Sequence, residues 1–333
     1  AVLTLALGMG ANTAIFSVVN GVLLRPLPYP DSGRLLLLGH EYAGQSHLKT
    51  GVSPAGFRFY REQNRVFQRT AAFTDWGPNF MGNDQPQRLV GEQVSSEYFT
   101  TLGVRLLVGR SFTPDEERPG ANRVVVVAEG LWRRAFGADP GLVGRLILID
   151  GEDYKVVGIA PFGFDVGRER VEIWRPLAFT EQQLQCWGCE FLQMIARLRD
   201  DATLAAARRD LDRIAAVVRG MPESLRGPGW KLWTNPVTDE LLGDVRPGLL
   251  VLMGAVGFVL LIACANLANL LLARGTARHR EIAIRTALGA GRGRLTGQLL
   301  TECLLLSLGG AGLGLLVAFG AVRGLLAMNP ANL

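Results

Sequence analysis

The chain has 333 residues, of which 48% are hydrophobic and 20% charged, with a formal net charge of +5. Six arginines and one glutamate between positions 274 and 298 account for all of that excess, so the rest of the chain is neutral. A local excess of arginine beside apolar segments indicates membrane topology and gives no support for nucleic-acid binding. The length suits about two domains.

The first predicted element is a membrane span over residues 1–24, which carry no charge. A helix of this length covers roughly 36 Å, against a hydrocarbon core of about 30 Å. Pro26, Pro28 and Pro30 end it, because prolines at alternate positions cannot continue a helix. Neither Met nor a basic segment precedes the apolar run, so we expect an internal piece of a longer chain and no signal peptide.

Residues 25–247 contain no run long enough to span a membrane, and their mixed periodicity predicts an α+β domain. The predicted strands are 35–38, 88–94, 123–127, 173–176 and 191–198, with a hairpin of 146–149 and 154–159 around a turn at 150–153. The predicted helices are 54–67, 95–99, 130–136 and 203–218. The helix at 54–67 would place Phe57, Tyr60 and Phe67 near one face, and that at 203–218 would place Leu204, Ala207, Leu211, Ile214 and Val218 on another.

Cys186 and Cys189 form a Cys-x-x-Cys pair, the pattern in this domain that suggests enzymatic chemistry. Such a pair acts as a redox site where it opens a helix that lowers one thiol pKa. Here a strand is predicted to follow and no thioredoxin-like βαβ pattern surrounds the pair, so we expect a structural disulfide in an oxidising compartment. His40 and His47, seven residues apart, are poorly placed to complete a zinc site with it. No metal or cofactor is therefore predicted.

Two further spans are predicted at 248–273 and 299–322, joined by the basic loop 274–298. The positive-inside rule makes this loop cytoplasmic and places residues 25–247 on the outer side. Gly310, Gly314 and Ala318 lie four residues apart on one face of the third span, a pattern that lets helix backbones approach closely. Glycine is also common in membrane helices generally, so both interpretations stay open.

Within the basic loop, residues 278–288 can form a short amphipathic helix whose apolar contacts would be Ile282, Ile284 and Leu288. Glu281 and Arg285 are four residues apart in the favourable order, and a glycine-rich segment follows as a helix stop. Spacing alone does not decide whether this helix docks on a cytoplasmic protein or lies on anionic lipid.

Several motifs resemble those of FtsX-like/MacB-type ABC transporter permeases, and together they extend over essentially the whole chain. The loop segment Arg-Glu-Ile-Ala-Ile-Arg-Thr-Ala-Leu-Gly-Ala at 280–290 is similar to the cytoplasmic signature of that family. Residues 11–20 and 24–30 resemble the first helix of the duplicated permeases abundant in acidobacteria. Residues 98–104, 108–112, 131–137 and 156–161 are similar to parts of the MacB periplasmic core.

The resemblance implies a multi-pass bacterial inner-membrane permease subunit with a large periplasmic α+β domain and no catalytic residues. A partner ABC-type ATPase would hydrolyse ATP, and the permease would couple that reaction to export or extraction of a substrate at the outer face. The sequence contains no Gly-x-x-x-x-Gly-Lys-Ser/Thr phosphate-binding loop, in agreement with this division. The alternative is an FtsX-like signalling scaffold that regulates a periplasmic partner. Besides the ATPase and the lipid bilayer, a second permease half or a second copy is an expected partner.

The resemblance also assigns roles to individual positions. The ATPase-coupling residues would be those of the loop signature: Arg280, Glu281, Ile282, Arg285, Leu288, Gly289 and Ala290. The outer domain would have a porter-like part, 31–95 with 190–220, and an inserted β-rich lobe, 96–189. A family member has a fourth membrane helix, and the duplicated subgroup repeats the whole unit. This sequence contains neither, so a truncated chain is expected.

Overall fold

The computed structural model describes residues 29–43, 48–82, 86–161, 170–224, 226–227, 229–243 and 246–277, with short helical stretches at 12–17 and 311–316 and a few isolated positions. The chain divides into two compact units. One is Pro26–Leu241, here called the core domain. The other consists of Ala1–Arg25 and Leu242–Leu333.

In the core domain, 13 strands of the described residues form one mixed sheet. Its strands are β1 (Leu35–Tyr42), β2 (Leu48–Thr50), β3 (Phe67–Trp76), β4 (Asn79–Met81), β5 (Pro86–Arg88), β6 (Gly91–Val94), β7 (Val108–Gly109), β8 (Val124–Ala128), β9 (Leu146–Ile149), β10 (Glu152–Ala160), β11 (Ile173–Pro176), β12 (Gln193–Leu198) and β13 (Trp230–Pro236). The spatial order is β13-β1-β12-β3-β6-β11-β8-β10-β9-β4-β5, with β2 beside β1 and β7 beside β10. The pairs β8–β10 and β6–β11 are parallel, and the other pairs are antiparallel.

Besides the short stretches at 12–17 and 311–316, the α-helices of the described residues are α1 (Pro54–Gln63), α2 (Tyr98–Leu102), α3 (Glu129–Phe136), α4 (Glu181–Gln185), α5 (Leu204–Arg219), α6 (Val237–Leu242) and α7 (Arg246–Ala277). Several begin at a residue whose side chain caps the first turn. Ser53 and Thr203 accept from the backbone N–H groups three residues on, at the starts of α1 and α5. Such caps satisfy amides that the helix itself leaves unpaired.

The apolar strand β1 shows why both faces of the sheet are covered. Leu35 and Leu37 pack into one core cluster, with α2 and its neighbours. Leu36 and Leu38 pack into a second cluster on the opposite face, with α1 and α5. A strand buried on both faces reads as a continuous apolar run, which is what this segment shows. A third cluster lies under β8, β9, β10 and α3.

Most of the predicted elements are found, and the hairpin at 146–159 is confirmed with the register Tyr154↔Ile147. The α1 prediction was wrong at its end. The helix ends at Gln63, because Asn64 turns the backbone to an extended conformation and its side-chain oxygen accepts from the Phe67 N–H at 3.1 Å. Phe67 therefore begins β3 and does not lie on the helix.

Other boundaries also differ from the predictions. The strand predicted at 88–94 is two strands, β5 and β6, and the one predicted at 35–38 extends to Tyr42. The one-turn helix expected at 95–99 is α2, which begins at Tyr98. In the hairpin, positive φ angles at Asp150 and Gly151 tighten the turn, so that β10 begins at Glu152. The predictions contained neither the central strand β3 nor the edge strand β13.

Within the described part of the chain, α7 is the one helix long and apolar enough to cross a membrane, over Pro247–Asn266. It includes the segment predicted as the second span, and large apolar side chains such as Val251, Leu261 and Ile262 are exposed. A helix that is apolar on all sides and exposed is typical of a lipid environment. Two thirds of the predicted first span and half of the predicted third span lie outside the described residues.

Candidate functional site

The two strands through which the chain enters and leaves the core domain are hydrogen-bonded neighbours. β1 begins five residues after Pro30, and β13 ends at Pro236, directly before α6. They pair antiparallel over seven residues, from Leu36↔Pro236 to Tyr42↔Trp230. The Thr234 hydroxyl adds a bond to the Leu37 carbonyl oxygen at 3.0 Å. The start of the first strand and the end of the last one therefore lie side by side at one edge of the sheet.

The next strand, β12, carries a buried arginine that ties this edge to α2. Arg197 is 8% exposed and its guanidinium donates to three backbone carbonyls: Thr101 at 2.7 Å, Leu102 at 2.9 Å and Pro30 at 2.9 Å. Two of these carbonyls are at the end of α2, where the helix leaves its last acceptors unpaired. Burial, together with nearby arginines, lowers the pKa of Arg197 from its ordinary value. We call this arrangement the Arg197 clamp. It connects the entry segment at Pro30 with two elements of the core.

At the other end of β1, a carboxylate is surrounded by donors. Glu190 Oε1 accepts from His40 Nδ1 at 2.8 Å, from the Tyr42 hydroxyl at 2.5 Å and from Arg226 at 2.5 Å. Glu190 Oε2 accepts from the Thr50 hydroxyl at 2.5 Å. The Glu190 side chain is only 12% exposed. We call this group the Glu190 cluster.

The protonation states of the Glu190 cluster follow from these contacts. Burial alone would raise the pKa of the Glu190 carboxyl, but hydrogen bonds from His40, Thr50 and Tyr42 outweigh it and lower the pKa to about 2. Burial lowers the pKa of His40, so the ring is neutral at neutral pH. Its Nδ1–H then donates to Glu190 and its Nε2 accepts from the Tyr60 hydroxyl at 2.9 Å. Burial and the same carboxylate raise the pKa of Tyr42 to about 12. The cluster is thus one carboxylate and one guanidinium joined by neutral donors.

The predicted cysteine pair lies directly before this carboxylate. Cys186 and Cys189 are joined in a disulfide with Cα atoms 5.6 Å apart. Cys186 follows the C-terminal end of α4, where the helix dipole does not favour a thiolate. Arg226 donates to the Trp187 carbonyl oxygen at 2.6 Å, so the loop closed by the disulfide is held to the Glu190 cluster. This environment is that of a structural crosslink.

The remaining predicted site residues are distributed differently. The seven coupling residues between 280 and 290 lie outside the described residues. Of the small residues predicted to pack, Gly314 is in a described helical stretch, and Gly310 and Ala318 are not described. Among the described residues, no group of His, Cys, Asp and Glu side chains is placed to hold a metal ion. His47 is not described, and His40 is engaged by Glu190 and Tyr60.

Sequence reasoning missed both buried ionic centres. Arg197 lies in the predicted strand at 191–198, where a charged residue among apolar ones was the available signal. Glu190 and Arg226 are separated by 36 positions and have no shared local pattern. The strand pairing brings them together, so no spacing rule could have found them.

Comparisons with known proteins add two family matches. The model described as MacB-like periplasmic core domain matches residues 1–214. The model described as FtsX-like permease C-terminal matches residues 253–330. The two matches follow one another along the chain.

Curated relatives include the macrolide export ATP-binding/permease protein MacB of Burkholderia thailandensis. It is 29% identical over 233 residues, covering 68% of this chain and 34% of that protein. The protein of the same description from Hahella chejuensis is 27% identical over 233 residues, with the same shares. The chain therefore spans about a third of the length of these relatives.

Solved structures that match the chain include the periplasmic region of MacB from Actinobacillus actinomycetemcomitans. It has a TM-score of 0.48 and 13% identity, covering 70% of this chain and 97% of that one. A domain of a putative permease protein from Porphyromonas gingivalis has a TM-score of 0.48 and 14% identity, covering 63% and 92%.

Proposed function

The chain belongs to the MacB-like periplasmic core domain family and continues into an FtsX-like permease segment, and from this premise we propose that it is the permease part of an ABC transporter. In this proposal it has no ATP site of its own. A partner ATPase hydrolyses ATP in the cytoplasm, and the permease couples that reaction to export or extraction of a substrate at the outer face. The relatives described as macrolide export ATP-binding/permease proteins support the proposal.

The observation that carries the proposal is the pairing of β1 with β13. A helix movement transmitted along the chain would reach the core domain through Pro30 on one side and Pro236 on the other. Seven register pairs and the Thr234–Leu37 bond resist any sliding between these two strands. The Arg197 clamp adds the α2 end to the same edge. Force applied at the entry or at the exit of the core domain would therefore move β1, β13 and the end of α2 together, as a mechanical coupling element requires.

The membrane arrangement is part of the same proposal. Three spans, at 1–24, 248–273 and 299–322, would anchor the protein in the bacterial inner membrane. α7 supports the second of them, because it is apolar on all sides and longer than the 20 residues that a bilayer core needs. The basic loop 274–298 would face the cytoplasm and the core domain would face the periplasm.

ATPase coupling is assigned to the loop signature at 280–290. Its apolar residues Ile282 and Leu288 would enter a groove on the ATPase, with Glu281 and Arg285 at the rim of the contact. Desolvating an apolar side chain of this size contributes roughly 1.5–3 kcal/mol. A charged residue placed at Ile282 would therefore oppose docking strongly.

The test is ATP hydrolysis by the complete membrane protein reconstituted in lipid with its co-purified ATPase. We expect the permease to stimulate the ATPase, and the double substitution Ile282→Asp with Arg285→Glu to abolish that stimulation. The matched control is Ile282→Val with Arg285→Lys, which keeps apolar character and charge at both positions and should keep most of the stimulation. Full stimulation by the first variant would refute the docking role, and failure to recover any ATPase in a pull-down would refute the permease function.

A further inference from the structure

The strand β9 is apolar at all four of its positions, yet the core domain buries only one of its faces. Ile147 and Ile149 are 7% and 0% exposed and belong to the third core cluster, together with Leu131 of α3. Leu146 and Leu148 lie on the opposite face and are 62% and 39% exposed. A half-solvated strand ordinarily alternates apolar and polar residues, whereas a strand buried on both faces is a continuous apolar run. The composition of β9 is therefore that of a strand whose second face is also covered.

A comparison with β1 shows what β9 lacks. The residues of β1 from Leu35 to Leu38 form a similar apolar run, and helices on both faces of the sheet leave each of them at most 7% exposed. At β9 the described residues supply a covering layer on the α3 side only. Met81 of β4 extends the open side, because it follows Phe80, which faces inward opposite Ile149, and it is 49% exposed. We call the open surface of β9 and of its two neighbours, β4 and β10, the β9 face.

The neighbouring strand β10 places two opposite charges beside the exposed leucines. The register of the hairpin is Asp153↔Leu148 and Lys155↔Leu146, and both charged side chains are exposed. Neither has an ion-pair partner among the described residues. Directly opposite residues have Cβ atoms about 4.5–5.5 Å apart, so each leucine has one charge next to it. The β9 face is therefore apolar along β9, acidic beside one end of that strand and basic beside the other.

This surface is complementary to itself under a two-fold rotation. An axis parallel to the surface, perpendicular to the strands and level with Ile147 exchanges the two ends of the hairpin. It lays Leu146 of one copy over Leu148 of a second copy, and the same rotation lays Lys155 over Asp153. Stacking without that reversal would bring like charges together. Closed dimers are built on such isologous contacts, in which one residue meets another and the same pair is repeated by symmetry.

We propose that the β9 face binds a second copy of this chain, through Leu146, Leu148, Asp153 and Lys155. Burial of the leucines supplies the affinity, and the crossed charge pairs fix the orientation and exclude other partners. A contact of this kind is smaller than the roughly 1,000 Å² that stable soluble complexes bury. Anchoring both copies in one bilayer raises their effective concentration, so a smaller contact is sufficient. The inference thus rests on the membrane part of the proposed function and not on ATPase coupling.

The experiment measures energy transfer between donor-labelled and acceptor-labelled copies of the full chain in phosphatidylcholine vesicles. The label is attached at Gln87→Cys, an exposed position of β5, in a chain that also carries Cys264→Ser and Cys303→Ser. We expect saturable energy transfer above that of randomly placed copies at the same density. Asp153→Lys and, separately, Lys155→Asp should each weaken self-association about tenfold, because like charges then face one another.

Mixing the two charge variants tests whether the partner is a second copy. Copies with Asp153→Lys are positive at both positions and copies with Lys155→Asp are negative at both, so an equal mixture should restore energy transfer between them. The double variant with both substitutions is again complementary to itself and should associate like the unmodified chain. Leu148→Asn should weaken self-association about tenfold. The matched control is Leu48→Asn, at a leucine of β2 that is 47% exposed, and it should have no effect.

Energy transfer no higher than that of randomly placed copies would overturn the proposal, and so would a mixture that associates as weakly as each single variant. Equal effects of Leu148→Asn and Leu48→Asn would also overturn it, because lipid or another protein would then cover β9. Self-association without ATPase stimulation would refute the permease role and leave the contact intact. Stimulation without self-association would refute the contact alone.

Discussion

The two halves of the core-domain sheet are held together differently. The half formed by β13, β1, β12, β3 and β6, with its helices and connections, contains every buried polar or charged residue of the described chain. The half formed by β11, β8, β10, β9, β4 and β5 is packed on apolar side chains, with Val125, Val127 and Ile149 fully buried. The first half is also the one through which the chain enters and leaves the domain.

Apolar packing and buried ionic bonds have different consequences. Burial of apolar surface is non-directional, so a core of this kind tolerates substitutions that conserve volume. A buried charge is stable only with its partners in place, so the Arg197 clamp and the Glu190 cluster each specify one arrangement of backbone. We infer that the half of the sheet through which the chain enters and leaves the core domain is held in one arrangement by directional bonds, and that the other half is held by the volume of its apolar side chains.

Breaking the Arg197 clamp should have the largest effect on stability. Arg197→Met keeps the aliphatic length but leaves three carbonyls without their donor, and we expect a loss on the order of 4 kcal/mol in the free energy of unfolding. Thermal unfolding of the full chain in detergent, followed by tryptophan fluorescence, measures it. The control is Arg69→Met, an exposed arginine opposite Arg197 on β3, which should cost less than about 0.5 kcal/mol. Equal effects of the two variants would show that the clamp carries no stability.

Removing the charge of the Glu190 cluster should have the next largest effect. In Glu190→Gln an amide N–H₂ replaces one acceptor, which leaves buried Arg226 without its counter-charge, and we expect a loss of about 3 kcal/mol at neutral pH. Glu223→Gln, at an exposed carboxylate, is the matched control. A loss no larger than that of the control would contradict the role of the cluster.

The pH dependence of the free energy of unfolding gives a second test of the Glu190 cluster with the variant Glu190→Gln. The folded-state pKa of Glu190, about 2, lies below its ordinary value of 4.5. As the pH falls, the Glu190 carboxylate is therefore protonated first in the unfolded chain. The stabilisation that the ionised carboxylate gives to the folded chain is complete above pH 4.5 and is lost as the pH falls through 2. The pKa of His40 is lowered from 6.5, so His40 also makes the folded chain less stable as the pH falls below 6.5. The variant Glu190→Gln should lack the acid-dependent part assigned to the carboxylate.

Opening the disulfide should have the smallest of these effects. The loop that it closes is short, with a sequence separation of 3, so the entropic stabilisation is about 2 kcal/mol. Cys186→Ser with Cys189→Ser should lower the unfolding temperature, and Cys264→Ser, at a free cysteine of α7, should not. A dithiol reductant should lower the unfolding temperature of the unmodified chain to that of the double variant and leave the latter unchanged.

Local sequence patterns correctly predicted the elements that are defined by one apolar face or by one tight turn. The β9–β10 hairpin follows from alternation around Asp150-Gly151, and α5 follows from apolar residues at helical spacing that are buried as predicted, from Ala207 to Val218. The central strand β3 was missed because its residues are half polar and its burial depends on β12 and β6, which pair with it from distant parts of the chain.

The predicted division of the core domain into two parts also shows that local patterns do not determine which strands pair. The segments 31–95 and 190–220 were predicted to form a porter-like part and 96–189 an inserted β-rich lobe, and this division stays a prediction. In the structure, β4 from the segment 31–95 pairs with β9 from the segment 96–189, at Phe80↔Ile149. Local composition does not indicate that a strand of one segment pairs with a strand of the other.

The sequence by itself determined the α+β class of the core domain, the apolar helix that follows it, the concentration of positive charge after that helix and the family to which the motifs belong. Each of these depends on residues close together in the chain, whose periodicity or spacing carries the information. Only the tertiary structure decided that β1 lies beside β13, that Arg197 meets the end of α2 and that Glu190 meets Arg226. Those contacts join residues between 36 and 200 positions apart, because burial of both faces of one sheet, and not local preference, chooses which strands become neighbours.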